Sequence, residues 1–212
     1  EKSYQQNLGL ELGLFRAITL NVDFFKQHRT NILMTRAFIP TTMGLSAPIR
    51  ANVGEASSQG IDAALTVSQT FDNGLFLSAM GNFTYATNKF LVNEEPDYKE
   101  PWRSRLGQNI NQAYGYISER LFVDDEDALN SPAQNFGRPV LGGDIKFLDV
   151  NGDGKITAAD QVPIGYPTVP EITYGFGPSA SYKGWDLSLF FQGLANESFW
   201  INYGAITPFV DD

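Results

Sequence analysis

The sequence predicts an all-β, antiparallel fold, and its features favour a transmembrane β-barrel segment with short turns on one side and long loops on the other. Three observations carry this. Apolar and polar residues alternate with a period of two over several long runs. Tight-turn signals join these runs in pairs, while stretches rich in Pro, Asn, Asp and charge separate the pairs. No stretch approaches the ~18 consecutive apolar residues of a membrane helix, whereas a membrane strand needs only about 9–11 residues of alternating character.

The first run is N-L-G-L-E-L-G-L, Asn7 to Leu14. Leu8, Leu10, Leu12 and Leu14 share one face, and Asn7, Gly9, Glu11 and Gly13 the other. A helix would set Leu8 and Leu10 about 200° apart and break any apolar stripe. Ile18, Leu20, Val22 and Phe24 repeat the pattern after Phe15-Arg16-Ala17, which predicts a hairpin. Ile61, Ala63, Leu65 and Val67 form the next apolar face, followed by the turn signal Asp72-Asn73-Gly74. Leu75, Leu77, Ala79, Gly81, Phe83 and Tyr85 then make a strand of over ten residues. The third hairpin runs from Ile172 to Leu194 through Lys183-Gly184, with Trp185, Leu187, Leu189 and Phe191 apolar against Asp186, Ser188 and Gln192. A polar strand is expected within Arg105–Tyr116. That makes about seven strands, and barrel parity asks for at least one more within 28–40 or 117–147. The long loops are expected over Gln27–Gly60, Asn88–Ser104 and Ile117–Pro170.

Composition excludes several functions. No cysteine is present, so thiolate zinc sites, disulfide scaffolds and Cys nucleophiles are absent. The single histidine, His28, stands beside no nucleophile and reads as a loop residue. With 24 Asp+Glu against 15 Lys+Arg, the charge is −9, which argues against nucleic acid.

Alternation alone leaves two readings open. In a soluble sandwich the apolar face is a core; in a barrel it meets lipid and the polar face meets a wet lumen. Strand length favours the barrel. So do Asn/Gln/Ser/Thr/Gly-rich polar faces and aromatics at Phe24-Phe25, Phe83, Tyr85, Trp185, Phe199-Trp200 and Tyr203, placed like interface girdles.

The most specific local motif is D-V-N-G-D-G-K-I-T-A-A-D, Asp149 to Asp160. Asp149, Asn151 and Asp153 take the first three ligand positions of an EF-hand-like calcium loop. Gly154 takes the sharp turn, Lys155 offers its carbonyl, Thr157 holds the water-linked position, and Asp160 closes the loop. Ca²⁺ favours this set because it is a hard cation seeking 6–8 oxygens. Asp replaces the usual Glu at the last position, and no helices flank the loop. The alternative is a pair of tight turns, Asn151-Gly152 and Asp153-Gly154. Asp124-Asp125-Glu126-Asp127 reads as an acidic helix start. Glu94, Glu95 and Asp97 lack the apolar pocket a catalytic carboxylate pair needs. Trp102, Tyr114 and Tyr116 read as packing aromatics rather than sugar platforms.

Several segments resemble one family. G-G-D-I-K-F-L-D-V-N-G-D-G-K-I-T-A-A-D-Q-V-P-I-G (142–165), P-E-I-T-Y-G-F (170–176) and Y-K-G-W-D-L-S-L-F-F-Q-G (182–193) are similar to the C-terminal part of SusC/RagA-type outer-membrane proteins of Bacteroidetes. So are N-V-G-E-A-S-S-Q-G-I-D (52–62), Y-G-Y (114–116) and the opening N-L-G-L-E-L-G-L-F. The resemblance implies a TonB-dependent importer in the Gram-negative outer membrane, a barrel of about 22 strands with a plugged lumen. It implies a SusD-like surface lipoprotein as lid, TonB acting on a plug, oligosaccharide or peptide cargo, contact with outer-membrane lipid, and no bond chemistry. Residues 1–212 would be one incomplete barrel domain, without plug or final aromatic-ended strand, leaving two bare edges. The competing expectation is a secreted, calcium-stabilised β-sandwich that binds glycans.

Overall fold

The structure is a computed structural model, and it describes residues 1–39, 41–44 and 47–202. Four long strands open the chain: β1 (Lys2–Leu14), β2 (Ile18–Thr35), β3 (Arg50–Thr70) and β4 (Phe76–Val92). An excursion follows with short elements: β5 (Tyr114–Gly115), β6 (Ser118–Leu121), α1 (Asp125–Leu129), β7 (Ala133–Gln134), β8 (Ile145–Phe147), β9 (Lys155–Ile156) and β10 (Val162–Pro163). The chain then rejoins the sheet as β11 (Ile172–Tyr182), β12 (Trp185–Ser188) and β13 (Phe191–Ala195).

The main sheet is an antiparallel meander, β1-β2-β3-β4-β11, with β12 and β13 both on β11. Those last two keep one register: Ser179 faces Ser188 and Phe176 faces Phe191. The break between them falls opposite Pro178, which has no N–H to give the ladder, although Leu189 N still donates to the Pro178 carbonyl at 3.0 Å.

Register builds a continuous apolar surface. One row runs Leu12–Leu20–Leu65–Gly81–Phe176–Phe191 and the row beside it Leu10–Val22–Ala63–Phe83–Tyr174–Gly193. Among the described residues nothing is stacked on this surface: Leu8 is 71% exposed, Leu65 41% and Leu187 62%. A sandwich would bury these side chains, so that reading fails. Along β3 the band runs from Ile61 to Phe71, roughly 34 Å of strand, or roughly 25 Å of depth at a 45° tilt. That is the height of a lipid-facing band.

The long loops shorten considerably. β2 runs to Thr35 and β3 starts at Arg50, so the connection expected over Gln27–Gly60 covers 36–49. His28 therefore lies in a strand, its Nε2 3.1 Å from Glu55 Oε2. The reason is physical. Beyond Phe24 both faces of the sheet are wet, with Lys26, Gln27, Gln59, Ser58, Thr87 and Asn88 side by side, so alternation ends while the hydrogen-bonded ladder continues. β4 likewise passes Asn88 and ends at Val92. Phe83 and Tyr85 thus stand mid-strand rather than at an end, but Tyr85 is level with Ile61 and Phe24 at the band's upper edge. Trp185, 82% exposed, marks the opposite edge; Tyr203 lies outside the described residues. Arg105–Tyr116 does not form a wall strand: Leu106 makes a single bridge to Phe90 on the β4 edge, and only Tyr114–Gly115 is strand, paired with β10. No additional wall strand lies among the described residues of 28–40, where residues 28–35 continue β2, and the short strands β6, β7 and β8 within 117–147 pair outside the wall.

The three tight turns, 15–17, 71–75 and 183–184, share one end of the sheet. Lys183 and Gly184 have φ of 49° and 83°, the left-handed pair of a two-residue hairpin turn. Phe15 and Arg16 are also left-handed, at φ 55° and 57°, which costs an L-residue about 1–2 kcal/mol. Arg16→Gly is therefore expected to stabilise the wall by about 0.5–1 kcal/mol. The check is the urea midpoint of the folded protein in vesicles, which should rise; an unchanged or lower midpoint refutes the strain.

Candidate functional site

Two features are available for function: the polar face of the wall and the excursion between β4 and β11. The polar face carries Gly9, Glu11 and Gly13 on β1, Asn21 and Asp23 on β2, Asp62, Ala64 and Thr66 on β3, and Asn82 and Thr84 on β4. Thr84 Oγ1 donates to Asp62 Oδ1 at 3.1 Å. Gly9 leaves room for its neighbour: a Cβ there would sit 2.6 Å from Asp23 Oδ1 and displace that carboxylate. Gly60 serves the same face, letting the Phe25 ring lie across β3, where a Cβ would meet Phe25 Cζ at 2.5 Å.

The excursion is fixed to the rim of the wall. Above Ala86, where β11 has not begun, the edge of β4 is taken by other segments. Phe90 N donates to Gln108 O at 3.1 Å, and Ala86 N to Glu171 O at 2.8 Å. Glu171 Oε1 also accepts from Thr87 Oγ1 at 2.6 Å. Ile110 N donates to Asn88 Oδ1 at 2.9 Å, and Asn88 belongs to the polar face. The excursion has its own small core: Phe122 and Ile156 are buried, and Tyr116, Phe136 and Phe147 form a ring cluster with centroids 5.4–5.6 Å apart.

Within it, the Asp149–Asp160 loop is organised by amides. Asp149 accepts from Gly152 N at 2.8 Å and Gly154 N at 2.7 Å. Asn151 Oδ1 accepts from Asp153 N at 3.0 Å, and Asp153 Oδ1 from Lys155 N at 2.9 Å. Gly154 is left-handed, φ 79°, as the turn demands. Thr157 caps a 3-10 turn by accepting from Ala159 N at 3.1 Å. Asp160 is fully buried and accepts from Val150 N at 3.0 Å and Thr157 N at 2.8 Å. The six motif residues are thus one unit, with Asp160 as its interior anchor. Among the described residues, no group of three or more His, Cys, Asp or Glu side chains is gathered to hold a metal ion.

Comparison with known proteins decides the family. The family described as TonB dependent receptor-like, beta-barrel matches residues 1–209. The chain belongs to this family. It is 28% identical over 205 residues to TonB-dependent receptor P3 of Formosa agariphila, covering 91% of this chain and 20% of that protein. It is 28% identical over 226 residues to TonB-dependent receptor P39 of the same organism, covering 91% and 22%. The chain therefore spans about a fifth of the length of these curated relatives. Among solved structures, the RagAB peptide transporter matches with TM-score 0.63 and 21% identity, over 92% of this chain and 21% of that one. The open-open RagAB peptide importer matches with TM-score 0.65 and 20% identity. The sheet is accordingly part of a TonB-dependent receptor β-barrel of the outer membrane, and its exposed apolar band is the face such a barrel turns to lipid.

In the receptor wall, short turns mark the periplasmic end and longer connections the outside. The other residues singled out in the sequence are structural. Asp124 caps α1, its carboxylate accepting from Asp127 N at 2.8 Å. Trp102 Nε1 donates to Ala159 O at 2.8 Å and ties the 93–104 segment to the acidic loop. Tyr114 donates to Ser104 O at 3.2 Å beneath Arg105, and Tyr116 belongs to the ring cluster. Glu95 accepts from Ser104 Oγ, Asn93 Nδ2 and Arg105 N, while Glu94 pairs with Arg36 at 2.5 Å. Arg36 and Glu94 lie 58 positions apart in sequence, and no local pattern marks them as partners. The hydrogen bond and charge of Arg36 hold the Glu94 carboxyl below its ordinary range.

Asp127 is held lower still. Its main cause is the forked bond from Arg120, with Nη1 and Nη2 at 2.5 and 2.9 Å; the Val123 amide adds to it. A depressed carboxylate contributes stability that is present above the unfolded-state value, about 3.9, and is lost as pH falls through the folded value. The α1 region is therefore expected to stay closed from pH 7 to about 4 and to open in more acid solution. Amide exchange at Val123 and Asp127 checks this. In Asp127→Asn the protection should be lower at neutral pH and flat with acid; an unchanged acid limb refutes the assignment.

Proposed function

We propose that this chain forms part of the wall and outer rim of a nutrient importer driven through TonB, with a SusD-like surface lipoprotein as lid and oligosaccharide or peptide as cargo. The observation that carries it is the single-layer wall. Over the apolar band, each strand of the main sheet has a lipid face and a polar face, and a folded excursion of 79 residues, 93–171, rises at the end opposite the tight turns. The polar face guides cargo, and the excursion supplies contacts to cargo and lid. TonB acts through a plug region beyond these strands. Peptide cargo is supported by the RagAB neighbours, which are a peptide transporter and importer. Oligosaccharide cargo rests on the sequence resemblance. The test is growth of a strain deleted for the gene of the full-length receptor, on defined oligosaccharides and defined peptides as sole nutrient. Growth should fail on one class and return with the full-length gene. Unchanged growth and unchanged uptake on both classes refute the reading.

Calcium at Asp149–Asp160 is a separate proposal, supported by the spacing of Asp149, Asn151, Asp153 and Gly154. Asp149 Oδ1 already accepts two amides, but Asp149 Oδ2 and Asp153 Oδ1 accept one each and keep a lone pair for a cation. Calorimetric titration of the receptor with Ca²⁺ should show heat that disappears in Asp149→Ala and Asp153→Ala; identical heat in all three proteins refutes it.

A further inference from the structure

The lipid-facing surface is not uniform. Near the tight-turn end it sinks into a hollow of about 440 Å³, floored by Ala79, Pro178 and Ala180. Val67 and Phe71 on the β3 side, and Leu187 on β12 with Leu189 just after it, form its walls. The register explains the shape: one row runs Val67–Ala79–Pro178–Leu189 and the next Gln69–Leu77–Ala180–Leu187, so Ala79, Pro178 and Ala180 form a low floor between Val67 and Leu77 on one side and Leu187 and Leu189 on the other. The hollow is about three times the ~150 Å³ cavity that accepts one benzene ring. It spans roughly 14 Å along β3 and roughly 14 Å across the strands.

Within a membrane, burial from water does not discriminate between apolar surfaces, so packing decides what stays. An empty hollow forfeits dispersion contacts along its lining, and a hydrocarbon chain restores them. The rim adds a polar end to the site. Tyr182 pairs with Trp185, and the Lys183 ammonium stands 5.0 Å from the Tyr182 ring. Lys183 is pinned in the hairpin turn directly below Ala180, at the edge of the apolar band. Asp72 occupies the other turn at the rim, which favours an anion on the Lys183 side.

We propose that this hollow is a phospholipid site of the periplasmic leaflet: acyl chains lie over Ala79, Pro178 and Ala180, and the headgroup phosphate meets Lys183 beside Trp185. The site is continuous with the lipid-facing band and rests on that orientation, not on the identity of the cargo.

The full-length receptor, folded into phosphatidylethanolamine vesicles containing a phosphatidylglycerol with a photoreactive acyl chain, tests this. Mapped adducts should concentrate on Leu187, Leu189 and Val67 relative to Leu8 and Leu10 of the same face. Ala79→Phe/Ala180→Phe should lower adducts in the hollow about tenfold. Lys183→Gln should lower them about fivefold. Ala63→Phe, on the same face outside the hollow, should change nothing, and a shift in gel mobility between unheated and heated samples confirms that each variant folds. Adducts spread evenly over the face overturn the site while keeping the orientation. Adducts absent from the face overturn the orientation itself. Cross-links to a second receptor copy in the hollow also overturn the proposal and make it a protein contact.

Discussion

Leu65→Lys is expected to destabilise the inserted wall by about 2–4 kcal/mol, while Ala64→Lys, one residue earlier, is expected to cost roughly 1 kcal/mol or less. The two positions have the same strand, the same ladder and the same depth; only the face differs. Leu65 lies in the central row of the apolar band, between Leu20 and Gly81, and is 41% exposed to what surrounds the barrel. An ammonium there must stay in hydrocarbon or bend its stem to the interface across several residues of strand. Ala64 faces the other way, between Asn21 and Asn82 and diagonal to Asp23. A lysine there meets water and a nearby carboxylate. Urea titration of the full-length receptor in vesicles, followed by heat-dependent gel mobility, separates the two. Equal losses, or a larger loss for Ala64→Lys, would sink the assignment of faces on which the barrel reading stands.

That assignment was legible in the sequence because lipid on one side and water on the other impose a period of two. Leu8 to Leu14, Ile18 to Phe24 and Ile61 to Val67 state it directly. The same reason explains what was illegible. From Lys26 to Asn31 every side chain of β2 is polar on both faces, so nothing in composition separates a continuing strand from a loop. The bulge at Asn31, φ 55°, bends this extension without any glycine to announce it. Arg105–Tyr116 shows the opposite error. Its polar alternation looks like a strand, but its amides serve turns and the β4 edge instead. The acidic motif was legible as one local unit, since Asx turns are built from neighbours within five positions. The Arg36–Glu94 and Trp102–Ala159 contacts were not, because they join segments by folding alone.

Asp160 is the position in the excursion where one substitution is expected to matter most. It is the one fully buried polar residue among those described, and its two oxygens accept backbone amides from both ends of the loop. Asp160→Ala leaves the part-buried amides of Val150 and Thr157 without their acceptor, and an unpaired amide costs about 1–3 kcal/mol where water cannot replace the bond. The change also removes half of the reciprocal cap with Thr157. A local loss of about 3 kcal/mol is expected. Asp160→Asn should fall between, because one amide oxygen still accepts while the NH₂ opposes another donor. The loss stays local, since the wall strands hydrogen-bond to one another and not to this loop. Amide exchange should therefore accelerate at Val150, Asn151 and Thr157, with Trp102 freed from Ala159, while β1 to β4 remain protected. This expectation does not require a cation, which makes it a separate question from the calcium titration. Unaltered exchange at Val150 and Thr157 in Asp160→Ala would show that the loop is held by its Asx turns alone.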